Sequence, residues 1–224
     1  MQDLLESKDK DKLEQRALDL INLLSARSGI NLQNFGIHGS IALGMHSSKS
    51  DIDFVVYGAQ NFRKLESTTN CLVESGTLSY KFSNRLDVAR RFKGKYLDKT
   101  FMYNAVRKPE EINAEYGAFR FTPITPVKIT CKIEDDSEAM FRPAIYKVED
   151  CSPSDAKSAV VHDRSPDVVV SMIGCYRNVA RKGDAIKVSG TLERIERLKT
   201  GEVSYQVVVG TGTSEDEHIW PFQA

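Results

Sequence analysis

Residues 34–57 read NFGIHGSIALGMHSSKSDIDFVVY, and the fold turns on how this stretch is read. Ile52, Phe54, Val55, Val56 and Tyr57 are strong β-formers and Gly58 stops them, which predicts a strand from Asp51 to Tyr57. Side chains alternate along a strand, so Asp51 and Asp53 project from one side with backbones roughly 6–7 Å apart. Two carboxylates so placed can hold hard cations such as Mg2+ or Mn2+, which take oxygen ligands and leave positions for water and phosphate. Upstream, Phe35 to His38 reads as a strand entering Gly39-Ser40, and Ile41 to Met45 as about one helical turn. Gly39 lets backbone approach an anion closely, and Ser40 adds a hydroxyl donor near a helix N-terminus. Asp-x-Asp or Gly-Ser alone is ordinary on solvated strands and turns. Joined at this spacing, ahead of an apolar strand, they form a layout for chemistry on a nucleoside triphosphate.

The stretch resembles the signature of the DNA polymerase β-like nucleotidyltransferase superfamily: Gly-Ser, a spacer, then Asp-hydrophobic-Asp-hydrophobic. Ser50-Asp51-Ile52-Asp53 is closest to the small prokaryotic members. Ala42-Leu43-Gly44 departs from the Ala-Arg-Gly that many of them carry after the turn. The resemblance implies a mixed α/β (α+β) domain in which Asp51 and Asp53 hold the metals and Gly39 and Ser40 hold phosphates. It also implies a third carboxylate on a later strand facing the Asp pair.

The chain of 224 residues can bury a real core, and its hydrophobic (41%) and charged (28%) contents are those of a globular protein. With 31 basic and 31 acidic residues, bulk charge gives no argument for nucleic acid, so such a partner needs a local patch. Cys71, Cys131, Cys151 and Cys175 are scattered, which argues against a disulfide framework and for a reducing cytoplasm. The charged N-terminus lacks an apolar core of a signal peptide, and no apolar run is long enough to span a membrane.

Leu13, Ala17, Leu20, Ile21 and Leu24 have helical spacing, and Gly29 can end that helix. Phe62, Leu65, Leu72 and Val73 predict a second helix ending near Gly76. A third runs from Asn84 to Phe92, followed by Lys93 and Lys95 in a loop. Arg90 and Arg91, the centre of this basic cluster, are candidates for RNA or triphosphate contact, with a solvated helix face as the plain alternative. Pro109 begins a helical turn, and Pro123 and Pro126 bracket a bend. Val127 to Ile133 then alternates as a strand with Val127, Ile129, Cys131 and Ile133 on one face. Its other face offers lysines and a threonine, so Glu134 is the first acid able to serve as the third carboxylate.

These features place a nucleotidyltransferase domain at residues 1–138 and a second domain at 139–224. In the latter, Phe141–Val148, Val168–Ile173, Ala185–Gly190 and Val203–Val209 are short strands with glycine turns, which predicts a small β-barrel that resembles the OB type. Tyr176, Arg177, Arg181 and Lys182 precede its key turn and are candidate nucleic-acid contacts. His38 can orient a phosphate or be a rim histidine; His46 lies in the loop before the acids; His162 and His218 lack metal-ligand spacing. The pairing of such a domain with a barrel resembles predicted archaeal nucleotidyltransferases. The expected chemistry is Mg2+-dependent transfer of a nucleoside monophosphate from a nucleoside triphosphate to a hydroxyl acceptor, RNA among the candidates. The rival readings are an idle nucleotide- or RNA-binding protein and an antitoxin-like interaction module.

Overall fold

In a computed structural model, which describes residues 2–6, 9–112, 115–213 and 215–222, the chain divides into two compact units, Met1–Glu111 and Ile112–Ala224. The division falls at 111/112 and not at 138/139.

In the first unit a short helix α1 (Gln2–Glu6) precedes α2 (Lys12–Ser28). Asp11 caps α2 by accepting from the amides of Leu13 and Glu14, while Glu14 accepts from the Asp11 amide. This capping box contributes on the order of 1 kcal/mol. Gly29 ends the helix in the left-handed region, and Leu13, Ala17, Leu20, Ile21 and Leu24 are buried, as their spacing predicts. Next come β1 (Phe35–Ile37), α3 (Gly39–Ala42), β2 (Ile52–Tyr57), α4 (Ala59–Glu74), β3 (Ser79–Tyr80), α5 (Arg85–Arg90), β4 (Lys93–Tyr96) and β5 (Lys99–Val106). The sheet order is β1-β2-β5-β4-β3. β2 and β5 are parallel and the other neighbours antiparallel, so the sheet is mixed as expected.

One face of this sheet is the core. Phe35, Ile52, Phe54, Val56, Phe101 and Tyr103 are buried there, and α4 packs on β2 and β5. Phe62 of α4 lies 5.8 Å from Tyr103 and 5.3 Å from Phe92, ring centre to ring centre. Each such ring contributes about 1.5–3 kcal/mol by leaving water. The other face carries Asp53 and Val55, which are only half buried.

The hairpin β4–β5 corrects the sequence reading, which put Lys93 and Lys95 in a loop. Its strands alternate, with Phe101, Tyr103 and Ala105 inward and Thr100, Met102 and Asn104 outward, but β4 is short and lysine-rich. Gly94 has no room for a side chain: a Cβ there would lie 2.6 Å from the Phe101 ring. α5 is also shorter than the helix expected over 84–92, because Arg91 turns left-handed (φ 53°).

The second unit holds β6 (Phe119–Glu138), β7 (Ala144–Pro153), β8 (Val168–Ser171), β9 (Ala185–Arg197), β10 (Val203–Val209) and β11 (His218–Phe222). Their order is β10-β8-β7-β6-β9-β11, and β10 also pairs with β9, so the pairings return to the strand where they begin. β6 is far longer than the strand expected at 127–133. It runs through Pro123 and Pro126, beside β9 alone, with a register shift at Pro123/Thr125. Strands accept proline where one edge is unpaired. Val127, Ile129, Cys131 and Ile133 are buried, as their alternation predicts. At Gly190 a Cβ would stand 2.5 Å from the Val208 carbonyl oxygen, which is why β9 needs glycine at its crossing with β10. Among the described residues no helix is long and apolar enough to cross a membrane.

Candidate active site

β1 delivers the chain to His38 and Gly39, and β2 carries Asp53 past them. The His38 amide donates to the Asp53 carbonyl at 3.1 Å, extending the β1–β2 pairing by one bond. Gly39 then turns left-handed (φ +66°) and opens α3, whose first residues are Gly39 and Ser40. A Cβ on Gly39 would stand 2.7 Å from Asp53 Oδ2. The turn therefore brings Gly39 beside the Asp53 carboxylate, with Ser40 next in the chain. Asp51 immediately precedes β2 and is exposed, while Asp53 is half buried.

Burial is the main force raising the Asp53 pKa above the ordinary carboxylate value; the charge of His38 opposes it, that of Asp51 adds to it and Lys93 opposes it. A cation beside Asp51 and Asp53 would relieve both the desolvation and the repulsion. Two carboxylates with a cradle free of Cβ at Gly39 fit Mg2+ or Mn2+.

The loop between turn and acids is fastened at two points. His46 Nε2 lies 2.8 Å from Asp11 Oδ2 at the start of α2, and Lys99 donates from its ammonium to the Ser48 carbonyl. Asp11, Glu14 and His46 have ligand atoms close enough together for a metal. Their oxygens already serve the capping box and the His46 contact, so their arrangement is explained by the fold.

On the Asp53 face, β5 offers Thr100, Met102 and Asn104, because Met102 pairs with Asp53 and Asn104 with Val55. Apart from Asp53, no strand residue on this face of the first sheet is acidic among the described residues. Asn104 on this face is buried, with Nδ2 3.4 Å from His38 Nε2 and Oδ1 without a hydrogen-bond partner. Sequence reading missed Asn104 because β5 itself was missed.

Three expected contacts are corrected. Glu134 lies on β6, in the second unit's sheet and not on a strand of the sheet that bears Asp53. Arg90 is buried, its guanidinium 4.9 Å over the Phe92 ring, and so packs instead of reaching out to RNA. Tyr176 is buried too, edge-on to Trp220 at 6.0 Å, and offers no stacking platform. Arg181 is held by Asp136 at 3.5 Å and by Asn178. Arg177 bonds back to the Gly174 carbonyl, whereas Arg91 and Lys182 are exposed.

Comparison with known proteins agrees with the first unit. Residues 18–115 match the nucleotidyltransferase domain family. The chain is also similar to an uncharacterized protein of Methanocaldococcus jannaschii, at 27% identity over 82% of this chain. It spans 57% of that relative's length. No solved structure matches the chain.

Proposed function

From the nucleotidyltransferase domain at residues 18–115, we propose that this protein transfers a nucleoside monophosphate from a nucleoside triphosphate to an acceptor oxygen and releases pyrophosphate. The observation that carries the reading is the turn at Gly39-Ser40 held against Asp53, with Asp51 beside it. Asp51 and Asp53 would hold Mg2+, which when bound neutralises phosphate charge and aligns the reacting oxygens. Gly39 and Ser40 bind the β- and γ-phosphates through backbone amides and the hydroxyl. His46 and Lys99 keep the loop over the nucleotide in one conformation, so less ordering is needed on binding. The acceptor oxygen bonds to the α-phosphorus as its bond to the bridging oxygen breaks. The electron pair leaves with pyrophosphate, and a hydroxyl acceptor would release its proton to solvent.

The second unit is proposed as a small barrel of OB type, supported by the return of its pairings through β9 to β10. A second reading, metal-nucleotide binding without transfer, is favoured by the lack, among the described strand residues of the Asp53 face, of a third carboxylate. Two assays separate them. Nucleotide binding with and without Mg2+ tests the site, and Mg2+-dependent pyrophosphate release tests transfer. Binding that Asp51→Asn/Asp53→Asn does not weaken would refute both readings; binding without release in the presence of cell extract would leave only the second.

A further inference from the structure

The row of residues through Asp53 continues across the sheet. Asp53 pairs with Met102 on β5, and Met102 pairs with Lys93 on β4. Lys93 therefore shares the Asp53 face, since paired residues in a ladder point the same way. Thr100 pairs with Lys95, which adds a second lysine. The Lys81 amide donates to the Lys93 carbonyl, extending the β3–β4 pairing, and its ammonium reaches Thr100 Oγ1 at 3.4 Å. Lys81, Lys93 and Lys95 thus stand together on the Asp53 face. None of the three is ion-paired among the described residues.

Sidedness gives the lysines a role. The strand order puts β1, and with it Gly39-Ser40, on one side of β2, and puts β5, β4 and β3 on the other. A triphosphate tail at Gly39-Ser40 leaves the lysine side for the acceptor. Asn104, with its unpartnered Oδ1, lies on that same side. A carboxylate there would suit a neutral hydroxyl, whose proton must be removed. Ammonium groups there suit a nucleophile that is already an anion.

We infer that the acceptor is a phosphate monoester, bound by Lys81, Lys93 and Lys95, and that the product is a diphosphate linkage. The inference rests on the transferase reading above. A monoester oxygen, ionised near neutral pH with a second pKa of about 6, bonds to the α-phosphorus. The α-phosphorus bond to the leaving bridging oxygen breaks, and pyrophosphate departs with the electron pair. No proton has to be removed, so the chemistry needs no third carboxylate.

The test uses the full chain, Mg2+, α-phosphate-labelled nucleoside triphosphates and cell extract, with half of the extract treated beforehand by a phosphatase that is then removed. The expected result is labelled product in untreated extract and at least a tenfold loss after phosphatase treatment. That product should release labelled nucleoside monophosphate with a pyrophosphatase specific for diphosphate bridges. Its partition between the RNA and small-molecule fractions identifies the source of the monoester. Equal labelling of both extracts overturns the inference and leaves the transferase reading standing. No labelling in either extract overturns the transferase reading as well. As a second arm, Lys93→Gln and Lys81→Gln are each expected to raise the extract concentration needed for half-maximal labelling about tenfold, with the nucleotide Kd moving less than twofold. A tenfold weaker nucleotide Kd with unchanged extract dependence would assign the lysines to the triphosphate and overturn the inference.

Discussion

A Cβ on Gly39 would lie 2.7 Å from Asp53 Oδ2, so the turn after β1 and the carboxylate on β2 share one packed contact. The same residue has φ +66°, where an L side chain costs about 1–2 kcal/mol. Gly39→Ala is therefore expected to displace the Asp53 carboxylate and weaken Mg2+-nucleotide binding by tenfold or more. The unit should stay folded, because the strained turn is local. Calorimetric binding and a thermal melt on the same sample check both halves.

The raised pKa of Asp53 gives a pH dependence with a definite sign. Nucleotide binding should fall as pH drops through a value above the ordinary aspartate pKa of about 3.9. For stability the same shift is a penalty. It is absent below the unfolded-state pKa, grows as pH rises through the folded value, and is full above it. Asp53→Asn should therefore melt at or above the wild-type temperature at pH 7 while losing binding, and the difference in melting temperature should vanish at low pH. Melts from pH 3 to pH 8 test this.

Arg90 and Arg91 are neighbours with opposite duties. Arg90 is buried over Phe92, while Arg91 is exposed with its guanidinium 5.9 Å from the Tyr80 ring. Arg90→Ala should destabilise the first unit by about 1–3 kcal/mol through lost packing. Arg91→Ala should cost under about 0.5 kcal/mol. Denaturant melts of the two variants decide it.

Gly190 sets a limit on the second unit. With the Val208 carbonyl oxygen 2.5 Å from where a Cβ would be, Gly190→Ala must push β9 and β10 apart. A loss of about 1–3 kcal/mol is expected, as for overpacking elsewhere, with Mg2+-nucleotide binding in the first unit unaffected. A melt followed by Trp220 fluorescence reports on this unit directly.

The legible parts of this chain were those where one local signal sufficed. Asp11 and Gly29 frame a helix whose apolar spacing is visible, and Gly39-Ser40 to Asp53 states its own geometry. β4 and β5 were illegible because β4 is four residues of mostly lysine and glycine, and its inward contact is the space left by Gly94. Missing that hairpin hid both Asn104 and the lysine row, and left Glu134, at the end of the strand expected at 127–133, as the candidate acid. β6 was read short because proline usually ends a strand. Only the pairing of Pro123 and Pro126 with β9 alone makes them acceptable, and that is a tertiary fact. Arg90 and Tyr176 looked like surface contacts because composition cannot tell which face a short element turns inward.

The most direct test of the account is covalent transfer of α-phosphate label from a nucleoside triphosphate into cell extract, comparing wild type with Asp53→Asn. Mg2+-dependent labelling by wild type, with a loss of at least about 100-fold in the variant, is the expected result. Labelling that survives in a folded Asp53→Asn protein would contradict the assignment of the site.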